Sequence, residues 1–413
     1  MKKRISAMVL VSLCTTGSAM ASGFRIPEQS LDSTAKSGAN IASASSADAA
    51  YYNPAGMAFL EDTWHLEGTG TYLHLTSIDY DDHRTGSFDG SSKKENFFLP
   101  TFFVVSPDYN NFRFGFAVVE PYGLQKRWDD AYPQAFAEKF SLKVFEFNPT
   151  VSYKFNDMIS IAGGARMLYS KATVMQNSLD VQGVSGHTLH VHDSSTDWGY
   201  NLAVDVRPTD NWNMALTYRS KVDLTYDGGD VDFTMPNLPP PYGGPVYVST
   251  TGSVEVPAPA VLAFSTAYTY EKWTVDLTVD RTYWSKYKDL RFNFDRPLTN
   301  PEPTDKEWND TTAIRLGLEY QLDPRLTLMG GVAYDQNPVP NYTIGFELPD
   351  SDAWLFSGGV RFKQNDNLEY GVAVLYDYKR SRDANSSDDG GNVNGKFTNA
   401  SALLVSLGVS YMF

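Results

Sequence analysis

The sequence predicts an all-β protein: a transmembrane antiparallel β-barrel of fourteen strands with an N-terminal hatch of short helices in its lumen. Three observations lead to this prediction. Segments of about ten residues alternate apolar and polar side chains. The connections between these segments alternate between short and long, and the last segment ends on an aromatic residue, Phe413. Only residues 22–60 lack the alternation, so they are not expected to form a half-buried strand.

The first 21 residues are predicted to be a signal peptide. A basic start at residues 2–4 is followed by an apolar run and by an A-x-A cleavage site that ends at Ala21. An uncleaved anchor helix is disfavoured because the apolar run is too short to span a bilayer comfortably. The one cysteine, Cys14, lies in this segment, so the mature chain is expected to have no disulfide and no thiol site.

Composition narrows the class of protein. Loss of the three basic residues in the signal peptide lowers the formal net charge from −15 to −18, which argues against binding to nucleic acid. Aromatic residues make up 14% of the chain, and no later stretch is apolar enough for a membrane helix. An exported chain of this composition fits an outer-membrane barrel, although a large secreted β-protein has a similar composition.

Alternation and turn chemistry fix the number of strands. One face is apolar in residues 198–206, 212–218, 273–279 and 403–413. Six short, turn-like connections lie at residues 107–111, 155–157, 208–211, 270–272, 322–325 and 364–367. Seven long polar connections lie near residues 81–96, 123–140, 176–195, 227–256, 285–308, 335–352 and 380–399. Together they join fourteen strands, an even number that places both termini on the periplasmic side.

The segment between the signal peptide and the barrel is predicted to be a plug. Residues 22–60 contain nine Ala, seven Ser and only five charged side chains. We therefore divide the chain into a hatch at residues 22–62 and a barrel at residues 63–413. Fourteen strands enclose a lumen between the filled interior of eight strands and the aqueous channel of sixteen, which leaves room for such a plug.

The order and spacing of several short motifs carry a family resemblance over nearly the whole mature chain. These motifs are Ser22-Gly23-Phe24, Asp48-Ala49-Ala50, Asn53-Pro54-Ala55, Phe112-Arg113-Phe114-Gly115-Phe116, Pro121-Tyr122-Gly123, Asn148-Pro149, Tyr153-Lys154, Asp197-Trp198-Gly199, Tyr218-Arg219-Ser220, Trp308-Asn309-Asp310 and Leu348-Pro349-Asp350. The chain resembles the outer-membrane long-chain fatty acid transporters of the FadL/TodX type. The resemblance implies passive uptake of hydrophobic molecules: capture at extracellular loops, displacement of the N-terminus, and release sideways through a gap at an inward kink of the third strand.

The resemblance also suggests roles for residues of the hatch. Phe24 is expected at the inner end of the ligand pocket, with ordinary hatch packing as the alternative. Asn53, Pro54 and Ala55 are expected to seal the hatch against the kink of the third strand, because Pro54 fixes φ and Asn53 can cap a turn. Generic turn chemistry is the alternative for these three residues.

Four further positions are assigned to gating or capture. Gly115 is expected to supply the bend of the third strand, and Pro121 to mark its outer end, with routine variation near a loop as the alternative. Leu238 and Tyr242 belong to a proline-rich apolar stretch that is expected to form one wall of the capture groove. A loop that resists proteases without touching ligand is the alternative.

Charged and histidine side chains are weighed in the same way. The cations predicted on the lumen face are Arg166, Arg207, Arg219, Lys221, Arg315 and Arg361. One of them could hold a ligand carboxylate, but pairing with Asp205, Asp276, Asp280, Glu319 and acids of the hatch is favoured. His187, His190 and His192 loosely resemble a metal cluster, but a solvated loop is favoured. No metal, cofactor or catalytic set is predicted.

The function predicted from the sequence is uptake of long-chain fatty acids across the bacterial outer membrane. Aromatic hydrocarbons or other lipids are the alternative cargo, and a structural or adhesive surface barrel or an outer-membrane hydrolase is the alternative class. The expected partners are the hydrophobic ligand, outer-membrane lipid, lipopolysaccharide, and the barrel-assembly machinery acting on Phe413. The protein is expected to be a monomer.

Overall fold

The computed structural model describes residues 23–179, 186–238, 244–295, 303–387 and 391–413. The predicted signal peptide lies outside these residues, so its cleavage stays a prediction. Within the described ranges, no helix is long and apolar enough to cross a membrane.

Fourteen antiparallel strands of the described residues close into a barrel. They are His65–Leu75 (β1), Glu95–Val105 (β2), Phe112–Arg127 (β3), Lys139–Lys154 (β4), Ile159–Asn177 (β5), Thr188–Thr209 (β6), Trp212–Arg219 (β7), Ala260–Tyr270 (β8), Trp273–Tyr283 (β9), Thr311–Asp323 (β10), Leu326–Asp335 (β11), Ala353–Lys363 (β12), Leu368–Lys379 (β13) and Ser401–Met412 (β14). Each pairs with its neighbour in this order, and β14 pairs with β1 from His65↔Met412 to Leu75↔Ala402. The predicted fourteen-stranded barrel is confirmed.

The outer face of the barrel is the apolar face that the alternation predicted. On β6, Trp198, Tyr200 and Leu202 are exposed, while the alternate residues Asn201 and Ala203 are buried. Such a face is stable only against lipid, because burial of apolar surface drives folding in water. Phe413 is exposed on this face and stacks on Trp64 with ring centroids 6.5 Å apart. Its recognition by the assembly machinery stays a prediction.

Short turns and long loops lie at opposite ends of the barrel, as predicted. One predicted loop, however, is mostly β-structure: residues 227–256 lie in a hairpin of two strands, Val222–Leu238 and Gly244–Ala258. The first of these strands continues the wall by pairing with the outer end of β6. The inner face of this first strand is apolar, with Val222, Leu224, Tyr226 and Val231 buried, whereas the outward residues Thr225, Asp227 and Asp230 are exposed. The outward face is polar because these residues extend beyond the bilayer, which is why the segment was predicted to be a polar loop.

Short elements in the other long loops cover the extracellular end. A four-stranded sheet combines Asp79–Asp82, Gly90–Ser91, Arg382–Asn385 and Asn394–Thr398, and a second pair combines Asp289–Leu290 with Thr304–Asp305. Asn293–Phe294 pairs with the hairpin. The helix Ala131–Ala137 and the 3₁₀ turns Gly86–Phe88 and Trp284–Lys286 complete the cover. The Arg84 side chain donates hydrogen bonds to Asp82 in the first strand of this sheet. Burial alone would raise the pKa of Asp82, but the hydrogen bonds from Arg84 outweigh it and lower this pKa below its usual value.

The hatch fills the lumen with three short helical segments: α1 (Leu31–Ala35), α2 (Ala49–Tyr52) and a 3₁₀ helix (Pro54–Phe59). The Ser30 hydroxyl caps α1 by accepting a hydrogen bond from the Ser33 amide. The helices pack directly on the wall, so that a Cβ at Gly371 or Gly408 would collide with Leu31. The predicted hatch of short helices is therefore present, and glycines of the wall permit this close approach.

The wall is interrupted between β2 and β3. These strands pair only from Phe102↔Val118 to Val105↔Gly115, whereas β2 pairs with β1 along its whole length. Beyond that point β3 turns inward: residues 119–124 are all buried, and its register with β4 shifts between Val119 and Tyr122. Further out, an isolated bridge between Ser92 and Trp128 rejoins the two edges. This interruption between residues 95–101 and 119–127 is called the gap below.

Candidate functional site

An aromatic pocket surrounds Phe24 at the extracellular end of the lumen. The Phe24 ring meets the rings of Trp284, Trp308, Tyr122 and Tyr287 at centroid distances of 4.7, 5.9, 6.1 and 6.4 Å. The cavity that remains beside it measures about 40 Å³. Pockets that hold a small molecule are typically about 300–1,000 Å³. Phe24 therefore occupies much of the space that an apolar ligand would need.

Gly23, the residue before Phe24, lies too close to two indole rings for any larger residue. Gly23 has φ +68°, and a Cβ there would lie 2.8 Å from the Trp308 ring and 2.9 Å from the Trp284 ring. Its amide donates to Asp350 over 3.1 Å, and the Asp350 carboxylate also pairs with Lys379. Only glycine combines this backbone conformation with so close an approach to both indoles.

The polar groups of the pocket are few. Lys306 lines it and forms a buried ion pair with Glu347. Among the described residues, the indole N–H of Trp308 has no hydrogen-bond partner. Burial raises the pKa of Tyr287 above its usual value, and the charge of Glu347 acts in the same direction, so this ring stays neutral. Within the described residues the indole N–H of Trp284 likewise has no partner, so the pocket offers an apolar body with one ammonium and two unused N–H donors at its wall.

The segment Phe24–Ile26, called the tip below, replaces β2 as the partner of β3. Arg25 and Tyr122 form an antiparallel bridge: the Ile26 amide donates to the Pro121 carbonyl over 2.8 Å, and the Gly123 amide donates to the Phe24 carbonyl over 2.9 Å. The tip therefore satisfies backbone groups that β3 exposes where it leaves the wall.

The tip also separates two apolar regions. Phe24 lies in the aromatic pocket, whereas Ile26 packs with Leu73, Phe97 and Leu99 on the inner faces of β1 and β2 beside the gap. Beyond the tip, the side chain of Gln29 bonds the backbone of Glu120 in both directions, at 2.8 and 2.9 Å. Withdrawal of the tip would join the pocket to the gap.

A side-chain bond crosses the outer end of the gap. Arg127 of β3 makes two hydrogen bonds to Glu95 of β2, at 2.7 and 2.9 Å, and the Gln125 amide donates to the same carboxylate over 2.9 Å. This bidentate contact, called the latch, connects strands whose backbones have separated.

Two positions predicted to shape β3 act differently. Gly115 was expected to supply the bend, but it pairs with Val105 and Thr150 in regular register, and the bend lies at Val119–Tyr122. A Cβ at Gly115 would instead collide with Met57 and Thr150, so this glycine allows close packing of the hatch. Pro121 was expected to mark the outer end of β3 but lies at the bend itself, with six further strand residues beyond it.

The Asn53-Pro54-Ala55 turn faces another part of the wall than expected. Asn53 accepts from the Gly56 amide and donates to Asp205 of β6 over 2.5 Å, and the Ala55 carbonyl accepts from Ser160 of β5 over 2.8 Å. These residues tie the hatch to β5 and β6. The hatch residues that face β3 are neighbours of the turn, Ala50 and Met57.

The predicted lumen cations form ion pairs with acidic side chains, which was the favoured prediction. The pairs are Arg166 and Arg219 with Glu146, Arg207 with Asp205, Arg315 with Asp280, Asp335 and Glu28, Arg361 with Asp32 and Glu67, and Lys221 with Asp223. Asp276 accepts from Ser43 instead. Two cations of the hatch that sequence reasoning missed also pair with the wall: Lys36 with Glu319 and Arg25 with Asp280.

Other predicted positions lie away from the pocket. His187 stacks on Phe233, and His190 stacks on His192. No group of three or more His, Cys, Asp or Glu in the described part of the chain is placed to hold a metal. Tyr242 lies outside the described residues, and the backbone of Leu238 pairs with Gly244 at the end of the hairpin.

A second cavity lies at the short-turn end of the lumen, below the hatch. It measures about 600 Å³, and its lining includes Asp32, Arg207, Glu319 and Arg361. This cavity is polar, unlike the aromatic pocket above the hatch. We call it the lower cavity.

Known proteins share this sequence pattern and architecture. The model of the family described as "Outer membrane protein transport protein (OMPP1/FadL/TodX)" matches residues 12–413. The chain belongs to this family. It is an outer-membrane protein, in agreement with the barrel and its apolar outer face.

Individual relatives have low sequence identity to this chain but match most of its length. The long-chain fatty acid transport protein of Escherichia coli O6:H1 is 25% identical over 72% of this chain and 75% of its own length. Outer membrane protein P1 of Haemophilus influenzae is 24% identical over 90% and 89%. A Pseudomonas aeruginosa FadL homologue has a TM-score of 0.81 at 20% identity, covering 94% of this chain and 99% of its own. The toluene transporter TodX of P. putida has a TM-score of 0.70 at 18% identity, covering 93% and 98%.

Several motifs that carry the family resemblance meet at the pocket. Trp308 and Leu348 line it, Asp350 holds the Gly23 amide, and Pro121 and Tyr122 hold the tip. Trp284 and Lys306, by contrast, lie in an extracellular loop without periodicity. No pattern in the sequence singled them out.

Proposed function

We propose that this protein takes up hydrophobic molecules, long-chain fatty acids foremost, across the outer membrane. Ligand is captured among the extracellular loops, enters the aromatic pocket by displacing Phe24, and leaves through the gap between β2 and β3 into the bilayer. The hatch body stays in place while the tip moves.

One observation carries this proposal: the three residues Phe24–Ile26 both fill the aromatic pocket and complete the backbone of β3 at the gap. A ligand that competes with Phe24 therefore releases the same segment that covers the gap. Because Ile26 already packs on apolar side chains of β1 and β2, the path from pocket to gap is apolar.

The chemistry of the pocket favours a fatty acid. An alkyl chain gains about 0.8 kcal/mol per CH₂ group removed from water, and the surrounding rings supply that environment. A carboxylate would bond to the Lys306 ammonium in place of Glu347 and to the Trp308 N–H, which is otherwise buried without a partner.

The lower cavity argues against an exit along the barrel axis. A hydrophobic ligand that passed through it would replace apolar contacts with water and charged side chains. Between the aromatic pocket and that cavity also stands the hatch body, held by buried ion pairs. The lateral route avoids both obstacles.

Names of relatives support the class of cargo. One is a long-chain fatty acid transport protein, and solved neighbours include a toluene transporter and a monoaromatic hydrocarbon channel. Aromatic hydrocarbons are therefore the second candidate cargo, and the rings that surround Phe24 favour them in turn. The two candidates differ in whether a charged head group must be bound.

Uptake in cells tests the proposal. A strain lacking its own transporter is given this gene, and entry of radiolabelled oleate and of radiolabelled toluene is measured against an empty vector. We expect oleate uptake to rise well above the vector control. A rise for toluene alone would assign the second cargo, and no rise for either would support the structural or adhesive reading instead.

A further inference from the structure

Lys126 is a buried lysine at the outer end of the gap. It lies on β3 between Gln125 and Arg127, which are more exposed, and is itself only 1% exposed. Its ammonium donates a hydrogen bond to the Ser92 hydroxyl over 3.3 Å, and none of the ion pairs among the described residues includes it. Burial takes water away from this charge, so a single bond to a neutral hydroxyl leaves it poorly compensated.

The charges around Lys126 do not neutralise it. Glu95 attracts the ammonium, but both oxygens of this carboxylate already accept hydrogen bonds from Arg127. Lys379 repels the ammonium and is itself paired with Asp350. Buried ionisable groups of this kind in membrane proteins typically serve a function. The arrangement therefore favours an anion that reaches Lys126 from the interior of the barrel.

Lys126 borders the aromatic pocket. On the inner face of the wall, Leu124 precedes it along β3 and Phe140 lies opposite it on β4, and both of these residues line the pocket. Lys306 lines the same pocket. The side chains of Leu124 and Phe140 cannot donate a hydrogen bond to a carboxylate. Lys126 is thus a second cation for a head group that moves from Lys306 toward the gap.

The outer end of the gap lies at the depth where lipid head groups begin. On β2 the outward residues Phe102 and Phe98 are exposed aromatic rings, whereas the next outward residue toward the loops is Asn96. Glu95, which carries the latch, is adjacent to it. The outer face of the barrel therefore changes from apolar to polar at this level, as it does at a membrane interface. Lys126 lies just inside the wall at the same level.

We propose that Lys126 binds the carboxylate of a fatty acid while its alkyl chain passes through the gap. The carboxylate exchanges the ammonium of Lys306 for that of Lys126, so the charge stays at the interface and does not enter hydrocarbon. This inference rests on the proposed uptake route and adds to it the residue that holds the head group during release. An uncharged cargo of the same length has no need of Lys126.

The test separates release from binding and from folding. The variant is K126M, which keeps an unbranched apolar side chain but removes the charge. The matched control is K93Q, which removes an exposed lysine whose amide bonds the Arg127 carbonyl at the same end of the gap. Initial uptake of radiolabelled oleate and of radiolabelled oleyl alcohol, which has the same chain without the charge, is measured in the transporter-deficient strain.

Two measurements on the purified proteins in detergent accompany the uptake rates. Calorimetry gives the affinity for oleate, and the temperature at which gel mobility changes reports the stability of the barrel. We expect oleate uptake by K126M to fall about tenfold, as loss of one hydrogen bond to a charged group implies. Its uptake of oleyl alcohol and its affinity for oleate should equal those of the wild type, and K93Q should match the wild type throughout.

Stability distinguishes this role from a structural one. The unfolding temperature of K126M should not fall, because an apolar residue in place of a poorly compensated buried charge is neutral or stabilising. Equal oleate uptake by K126M and wild type would overturn the inference, as would equal losses for oleate and oleyl alcohol or a less stable barrel. Absence of oleate uptake by the wild type would instead overturn the proposed function.

Discussion

The two ends of the lumen differ in chemistry and in filling. Above the hatch, the aromatic pocket leaves about 40 Å³ because Phe24 occupies it. Below the hatch, the lower cavity is open, polar and about 600 Å³. The larger cavity is therefore the polar one, and the apolar pocket that suits a hydrophobic ligand is the filled one. The apolar pocket becomes large enough for a ligand only when the tip leaves.

The body of the hatch and its tip also differ in the contacts that hold them to the wall. Its body is fixed by buried ion pairs such as Arg361–Asp32 and Lys36–Glu319, whose rupture would leave buried charges uncompensated at a cost of several kcal/mol. At the tip, Phe24 and Ile26 are held by apolar contacts and two backbone hydrogen bonds to β3, although Arg25 also pairs with Asp280. This contrast favours motion of the tip over ejection of the hatch.

The largest expected effect comes from fixing the tip. Arg25 and Tyr122 form a bridge in which the flanking residues make the hydrogen bonds, so their Cα atoms should be about 4.5 Å apart, within the range of a disulfide. We expect oxidised R25C/Y122C to lose more than tenfold in oleate uptake, and a reductant to restore it. The single variant R25C is the control. Normal uptake by the cross-linked protein would show that cargo does not need the tip to move.

Removal of the Phe24 ring should have the opposite effect on binding. In F24A the pocket is already vacant, and Phe to Ala in a packed core costs about 3–5 kcal/mol in contacts that favour the closed form. We expect oleate to bind at least tenfold more tightly in detergent, by calorimetry, since about 1.4 kcal/mol of that difference already corresponds to a factor of about ten. The control is F59A, which removes a hatch ring that packs on Arg207 towards the lower cavity. Unchanged affinity in F24A would place the ligand elsewhere.

A smaller and more selective effect is expected at Lys306. K306Q removes the ammonium of the pocket and should weaken oleate binding about tenfold, near the lower end of the 1.5–3 kcal/mol typical of bonds to charged groups. Toluene binding should not change, because it has no head group. K288Q, in an exposed part of the same loop, serves as the matched control. Equal losses for both ligands would point to a structural role of the Lys306–Glu347 pair.

The smallest effect is expected at the latch. E95Q keeps the hydrogen-bonding shape of the buried Glu95 but removes its charge, which weakens the contact with Arg127, whose side chain is 45% exposed. Solvent screening at the arginine limits the loss to about 1 kcal/mol. The initial rate of oleate uptake should rise by no more than about threefold, because the outer end of the gap opens more easily. D129N, which removes an exposed partner of Lys93, is the control. A fall in rate would indicate that the latch positions β3 instead of restraining it.

Much of the barrel was predictable because lipid imposes a strict pattern. Residues such as Trp198 and Leu202 face hydrocarbon while Asn201 faces the lumen, so alternation with period two gives both strand and facing. The hatch was predictable because residues 22–60 are rich in Ala and Ser and lack alternation with period two. The family resemblance also placed Phe24 at the inner end of a ligand pocket; the structure packs it among aromatic rings, and its contact with ligand stays a prediction.

Features set by distant contacts were not predictable. The bend of β3 lies at Val119–Tyr122 because the tip, nearly a hundred residues earlier, pairs there; Gly115 was a reasonable local candidate but serves packing. The hairpin Val222–Leu238 and Gly244–Ala258 was predicted to be a polar loop because outward residues such as Asp227 and Asp230 are polar above the bilayer, although its inward residues are apolar. The pocket walls Trp284 and Lys306 come from the two ends of one long loop and Leu348 from another, and local sequence patterns cannot bring them together.

The dual duty of the tip has a consequence for the permeability barrier of the cell. The same three residues fill the aromatic pocket and cover the gap. In the proposed cycle, therefore, no ligand-free form has an empty pocket next to an open gap. The gap is open only while a ligand occupies the aromatic pocket. Under that scheme, antibiotics and detergents that cannot compete with the aromatic ring of residue 24 gain no entry, however many copies of the barrel the membrane holds.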